Sequence, residues 1–169
     1  MAAGVRIISP GKFNRRGFRT ALKAAAKVTG KLIERDFKKT TATWEHDVSF
    51  DIEVSADPNV EVSVTTTDKI YGYVNDGTDP HMIFPKRARA LSFQWGGKGS
   101  YRPKTRPRVI GSTPGGPTGP QVARPYVQHP GTDPREFDVA IRDKWDRLLP
   151  NDFTVALEKG ADASGHGYP

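Results

Sequence analysis

The architecture of this chain is predicted most directly by two segments, YGYVNDGTDPHMIFPKRARALSFQW from Tyr71 to Trp95 and HPGTDPREFDVAIRDKW from His129 to Trp145. The first predicts a strand, a turn at Gly77, a proline-rich corner and a second strand. The second predicts another turn, at Gly131, that leads into a helix. Because glycine accepts a positive φ at little cost, we interpret both turns as structural. The residues assigned to these structural turns are Gly77, Thr78, Pro80, His129, Pro130, Gly131 and Thr132.

Periodicity in the rest of the chain predicts an α+β fold. From about Phe13 to Lys39, apolar residues such as Leu22 and Val28 recur every three or four positions, which indicates one long helix. Alternation of apolar and polar residues then indicates strands over residues 44–56, 60–67, 70–74 and 90–95, with a short fifth at 126–128. We therefore expect an antiparallel sheet of four or five strands packed against the long N-terminal helix and a C-terminal helix.

The C-terminal part is predicted to be helical with one interruption. Asp133 and Pro134 suit a helix start, and Pro150 is expected to end that helix. A further short helix is expected from Asp152 to Lys159, ended by Gly160. The predicted organisation is a single domain over residues 1–162, with residues 163–169 as a flexible tail.

The segment from residue 96 to residue 124, called the arm below, is dominated by glycine, proline and basic residues. It offers too little apolar surface to pack alone, and a loop of this length is usually functional or disordered. We expect it to be disordered in a free subunit and ordered against a partner. Its candidate partner or DNA contacts are Lys98, Arg102, Lys104, Arg106, Arg108 and Arg124.

Charge is segregated along this chain of 169 residues, whose net charge is +7. Residues 40–79 carry nine acidic side chains and one basic, whereas residues 80–132 carry nine basic side chains and no acidic one. Such blocks suit either head-to-tail packing of identical subunits or contact with nucleic acid. We favour protein contact, with DNA phosphate contact secondary.

No residue pattern indicates catalysis. The chain has no cysteine, which excludes disulfides and thiolate chemistry, and it has neither a phosphate-binding loop nor a G-x-S-x-G elbow. His81, His129 and Asp133 are a conceivable metal ligand set, but no short spacing links them and each fits a turn. No apolar run approaches the ~20 residues that span a bilayer, and the N-terminus lacks a secretory signal pattern. We therefore predict a non-enzymatic, cytosolic protein without catalytic residues, cofactor, metal site or membrane contact.

The order Y-x-Y-V-x-x-G-T-x-P-H from Tyr71, followed by H-P-G-T-x-P-x-x-F from His129, resembles the neck or minor tail-component proteins of long-tailed bacteriophages, a head–tail joining and tail-completion family. The resemblance covers roughly the second half of the chain, and the arm is longer than is usual in that family. It implies a structural subunit of the head–tail connector, which joins the capsid portal complex to the tail by assembling into a homo-oligomeric ring, predicted to be sixfold. The implied partners are other neck, portal-adaptor and tail-tube proteins, with non-specific contact to packaged DNA as a further option. The implied location is the neck or tail of the virion, after assembly in the host cytoplasm.

Three alternatives remain open from the sequence. The subunit could instead be a tail terminator or a head-closure protein. It could be a nucleic-acid-binding module, which steep salt dependence of DNA binding would favour. It could be a small metal-dependent hydrolase, which would require His81 and His129 to converge on one ion.

Overall fold

The computed structural model describes residues 14–55, 59–164 and 166. These residues contain three helices and eight short strands. The helices are α1 (Arg15–Thr41), α2 (Lys69–Asp76) and α3 (Phe137–Ala163). The strands are β1 (Asp51–Ser55), β2 (Glu61–Thr65), β3 (His81–Ile83), β4 (Leu91–Gln94), β5 (Tyr101–Arg102), β6 (Gly116–Pro117), β7 (Gln121–Arg124) and β8 (Val127–His129). The chain is thus mixed helix and strand with long N-terminal and C-terminal helices, as predicted; most of the predicted tail lies outside the described residues.

The segment from Thr78 to Thr132 forms one irregular hairpin, called the long hairpin below. Its antiparallel pairs are nested one inside the other: β3 with β8 at the base, β4 with β7, and β5 with β6 towards the tip. β1 and β2 pair separately. The described strands therefore form four two-stranded sheets, where the sequence predicted one sheet of four or five strands.

The arm lies in the distal part of the long hairpin and is not a structureless loop. Tyr101 and Arg102 pair with Pro117 and Gly116, and Gln121 to Arg124 pair with β4. The prediction that the arm forms no packed element was wrong at these positions, because backbone hydrogen bonding between its two sides does not require apolar side chains.

Residues 69–76 form helix α2, so the predicted strand over 70–74 was wrong. The Asp68 carboxylate caps the helix by accepting a hydrogen bond from the Tyr71 amide at 2.7 Å, and Gly77 follows the last turn with φ of 80°. Tyr71 is buried, whereas Ile70 and Tyr73 are exposed. The β-branched and aromatic residues favoured a strand, but these two helix-end signals outweighed them.

Helix α3 begins at Phe137 rather than at Pro134 and continues past Pro150 to Ala163. Its start is set by Asn75, whose side-chain oxygen accepts from the Phe137 amide at 2.9 Å and the Asp138 amide at 3.3 Å. An N-cap supplied from a distant position has no local sequence signal. The predicted break at Pro150 and the separate helix to Lys159 were wrong, although proline costs about 3 kcal/mol inside a helix.

Contacts divide the chain into two compact units. One contains 32–51 and 64–145, and its core is aromatic: Tyr71 lies 5.2 Å from Phe50 and 5.9 Å from Phe137 between ring centroids, beside buried Val48. Aromatic pairs of this kind contribute about 0.5–1.5 kcal/mol each beyond their buried area. Helix α2, through Tyr71, and the first turn of α3, through Phe137, are therefore anchored on one cluster.

The other unit contains residues 1–31, 52–63 and 146–169. Its described buried side chains include Ala26 of α1 and Ala156 of α3. Gly30 is buried because Ile52 fills the space beside it: a Cβ there would lie 2.7 Å from the Ile52 Cγ2. Val28, predicted to face the core, is 60% exposed. The buried face of α1 in this unit is formed instead by small residues, Ala26, Thr29 and Gly30.

Candidate functional site

The two glycine–threonine turns meet at the base of the long hairpin. Thr78 and Thr132 exchange reciprocal backbone hydrogen bonds of 3.0 Å, so residues 54 positions apart form one bridge. Gly77 and Gly131 have φ of 80° and 89°. A Cβ at Gly77 would lie 2.6 Å from the Thr132 carbonyl oxygen, and one at Gly131 would lie 2.3 Å from that of Thr78. The two segments that carry the family resemblance are therefore one structural unit.

His81 and His129 face each other across β3 and β8, with ring centroids 5.2 Å apart. Each ring is engaged by its own turn: His81 Nδ1 lies 2.8 Å from the Asp79 carbonyl oxygen, and His129 Nδ1 accepts from the Gly131 amide at 3.1 Å. Within the described parts of the chain, no three histidine, aspartate or glutamate side chains form a group that could hold a metal. The histidines thus converge as a pair without Asp133 as a third ligand.

The tip of the long hairpin packs against its own chain near the end of α1. Ser112 Oγ donates to the Lys39 carbonyl at 3.1 Å and accepts from the Thr43 amide at 3.2 Å. Thr43 Oγ1 also donates to the Thr113 carbonyl at 3.3 Å. The arm therefore has specific hydrogen bonds within one subunit, which the sequence did not predict.

The six candidate arm cations divide into two groups. Lys104 lies 3.8 Å from Glu45, and Arg108 forms an ion pair with Glu136 of the same chain. Arg108 also has φ of 56° and donates its amide to the Arg135 carbonyl at 2.7 Å, so it is fixed by backbone as well as side chain. The other four side chains are solvent-exposed: Lys98, Arg102, Arg106 and Arg124.

Large aromatic side chains are exposed along the same hairpin. Phe84 and Tyr126 are 61% and 55% exposed and lie 6.2 Å apart between ring centroids. Trp95 and Tyr101 are about half exposed. Exposed aromatic residues among arginines and lysines are typical of binding surfaces.

Acidic side chains are exposed on the segments that precede the long hairpin. Asp51 and Glu53 lie on β1 and Glu61 begins β2, all with exposed side chains. Glu45 is 96% exposed even though it lies near Lys104. The acidic part of the segregated charge is thus available at the surface.

A buried carboxylate, that of Asp36, accepts three side-chain hydrogen bonds. Asp36, on α1, accepts hydrogen bonds from Lys39 Nζ at 2.9 Å, Trp145 Nε1 at 3.1 Å and Lys144 Nζ, and its side chain is 1% exposed. Burial alone would raise the pKa of Asp36, but the hydrogen bonds from Lys144 and Lys39 outweigh it and hold the pKa below its usual value. Asp36 is therefore a structural anchor, and its helical position gave no sign of it.

His46, which has no partner by sequence, lies beside the N-cap of α2. Its Nε2 is 3.3 Å from the Asp68 carboxylate but not aligned for a hydrogen bond, and its ring is 5.5 Å from that of Trp44. A cleft of about 490 Å³ opens here and is lined by Trp44, His46 and Asp47 with residues of α1. No described hydrogen bond connects His46 to a serine, threonine or lysine that could act as a nucleophile.

Comparison with protein-family models, curated proteins and solved structures found no match to this chain. Among the described residues, none of the helices combines the length and apolarity needed to cross a membrane.

Proposed function

We propose that this protein is a structural subunit of the head–tail connector of a long-tailed phage and acts by ring assembly. The observation that carries the proposal is the surface of the long hairpin, in which residues 80–132 carry nine cations and no acid beside exposed aromatic side chains such as Phe84 and Tyr126. Arginine and aromatic residues supply most of the binding energy at protein interfaces. The family resemblance supports a connector, whose subunits bind each other and carry out no chemistry.

The partner surface would be the acidic segment of a second copy. Exposed Asp51, Glu53 and Glu61 of one subunit would face the exposed arm cations of the next, a heterologous contact that closes into a ring when the rotation permits. Each described two-stranded sheet leaves one edge of every strand without a strand partner. Pairing at those edges would build the sheet of four or five strands between subunits rather than within one.

The test is the mass of the assembly at low and high salt. We expect the full chain to form closed rings, sixfold by native mass spectrometry and electron microscopy, in about 50 mM salt, or when mixed with neck partners. The triple variant Lys98→Gln/Arg102→Gln/Arg106→Gln should weaken assembly about 3-fold to 100-fold, since exposed ion pairs contribute about 0.2–1 kcal/mol each.

The matched control removes three cations from α1: Arg15→Gln/Lys23→Gln/Lys27→Gln. It has the same net charge as the arm variant and should assemble like the wild type. A chain that stays monomeric alone and within the particle would rule out the ring, and equal weakening of both variants would rule out the arm as the contact.

A further inference from the structure

The outer face of helix α2 carries large side chains that the subunit does not cover. Ile70 is 54% exposed and Tyr73 is 59% exposed. The face consists of Ile70, Gly72, Tyr73 and Asp76, which lie within about 160° of arc because each residue turns the helix by about 100°. Buried Tyr71 lies on the opposite side. Large apolar side chains that are exposed together mark contact surfaces, whereas single ones are normal.

The glycine on this face has no packing role within the subunit. Glycine lowers the stability of a helix relative to alanine, yet a Cβ at Gly72 would meet no atom within 4 Å. Its absence leaves a shallow depression beside Tyr73, where the backbone of another molecule can approach closely. Asp76, on the same face, accepts a hydrogen bond from its neighbour Asn75 at 2.7 Å and has no ion-pair partner in the described chain. The face is thus apolar, indented and acidic.

The base of the long hairpin has a face of complementary character. Met82 and Phe84 are exposed and alternate with half-buried Ile83, so they point to the same side of the hairpin. The ring of Tyr126 joins them, 6.2 Å from that of Phe84 between centroids. Four exposed cations lie close to this aromatic pair along the chain, and none has an ion-pair partner among the described residues: Lys86, Arg87, Arg89 and Arg124.

We propose that this aromatic and basic face of the long hairpin binds the outer face of α2 of a second copy of the chain. Residues 68–79 carry three acidic side chains and one basic, whereas residues 80–132 carry only basic ones. Both apolar patches stay exposed within one subunit, so neither covers the other there. Because the two surfaces differ, the contact is heterologous and repeats from copy to copy. It supplies an apolar contact for the proposed connector ring, on which it rests, and adds to the ionic contact described above.

The first test uses the absence of cysteine from the chain. Lys69→Cys places a thiol on the outer side of α2, and Gln128→Cys places one opposite Met82 on the hairpin face, with both apolar patches left intact. The two variants are mixed and treated with a short bismaleimide, and the mixed dimer is identified by intact mass. The matched control mixes Gln128→Cys with Val28→Cys, whose thiol lies at an exposed position of α1. We expect about 10-fold more mixed dimer than in the control, because binding raises the effective concentration of the two thiols.

Side-chain changes on α2 test the energetics of the contact. Tyr73→Ala should weaken association about 30-fold, as expected for an aromatic anchor at an interface. Val28→Ala, at an equally exposed position, should change it less than about threefold. Gly72→Ala should weaken association about 10-fold while stabilising the free helix, a combination that a purely structural role cannot produce. Light scattering across a dilution series gives the midpoint concentration of assembly for each variant.

Equal crosslinking of the mixed and control pairs, or unchanged association of Tyr73→Ala or Gly72→Ala, would overturn the assigned contact. Crosslinking between two copies of Lys69→Cys at equal yield would show an isologous contact and overturn it as well. Closed rings without the mixed crosslink would remove this contact and leave the connector role standing. Mixed crosslinks in open chains would remove the ring and leave this contact standing.

Discussion

At the scale of single residues, the base of the long hairpin depends on the absence of two Cβ atoms. Gly77 and Gly131 each lie against a carbonyl oxygen of the opposite turn, and both have positive φ. Gly97 also has positive φ, 96°, but a Cβ there would meet nothing within 4 Å. Substitutions at both glycines cost the strain of a positive φ, but only at Gly77 would the new Cβ also contact the opposite turn. Comparing the two variants therefore measures the cost of that contact alone.

We expect Gly97→Ala to lower the free energy of unfolding by about 1–2 kcal/mol, the cost of a left-handed backbone with a Cβ. Gly77→Ala should cost about 2 kcal/mol more, because its Cβ would displace the Thr132 carbonyl. Chemical denaturation of both variants measures the difference. Equal losses would show that close packing of the two turns contributes nothing.

The buried carboxylate of Asp36 leads to a prediction about how the free energy of unfolding depends on pH. Because the folded pKa of this carboxyl is lowered, its contribution to stability is complete above its unfolded pKa of about 3.9 and is lost as pH falls through the folded value. Asp36→Asn should therefore lower the free energy of unfolding by about 3 kcal/mol at pH 7, with the gap from wild type narrowing below about pH 4. Urea unfolding at pH 7, 5 and 3 gives this gap.

The control for Asp36 is Glu34→Gln on the same helix. Glu34 pairs with Lys38, whose side chain is 57% exposed, so this change should cost less than about 1 kcal/mol at any of these pH values. A gap between wild type and Asp36→Asn that stays constant from pH 7 to 3 would contradict the role of the ionised carboxylate.

At the scale of elements, two helical glycines have opposite roles. Helix propensity alone favours alanine over glycine by about 1 kcal/mol at each. Gly72 in α2 has open space around its missing Cβ, whereas at Gly30 in α1 that atom would meet Ile52 at 2.7 Å and Val62 at 3.2 Å. Packing therefore opposes propensity at Gly30 only.

We expect Gly72→Ala to raise the free energy of unfolding by about 0.5–1 kcal/mol. Gly30→Ala should lower it by about 1–2 kcal/mol, since overpacking costs about 1–3 kcal/mol and exceeds the propensity gain. Thermal unfolding of the two variants tests the signs. A stabilised Gly30→Ala would mean that β1 and β2 can move away from α1 at little cost.

Elements whose signals are local could be predicted from the sequence. The helical period of α1 and the alternation of β1, β2 and β4 lie within their own residues, and the structure has these elements, with shorter strands. Residues 70–74 were predicted as a strand because β-branched and aromatic side chains favour strands, whereas the residues that bound the helix, Asp68 and Gly77, lie outside that segment. The start of α3 could not be predicted, because its cap is Asn75, 62 positions away.

At the scale of the whole molecule, the sequence predicted segregated charge but not how the strands pair. His81 and His129, or Tyr101 and Pro117, become partners only through the nested pairing of the long hairpin, which no pattern within either side encodes. The candidate arm cations were identified as a set, yet only the fold shows that Arg108 pairs with Glu136, although both Arg108 and Arg102 are exposed. Composition therefore indicates which segment is basic, whereas tertiary contacts determine which of its cations are held by ion pairs.

The nested pairing of the long hairpin also bears on the order in which it folds. Closing the Arg102–Gly116 pair first encloses 13 residues, whereas closing the Thr78–Thr132 bridge first encloses 53. Each doubling of a loop costs about 0.6 kcal/mol of chain entropy, so the tip has an advantage of about 1.2 kcal/mol as a starting point. The base, however, adjoins the aromatic cluster around Tyr71, whereas the tip is rich in glycine and proline. Zippering from the base outward would leave the basic tip as the last part to form and the first to open, so that local unfolding could release it to a neighbour while the core stays intact.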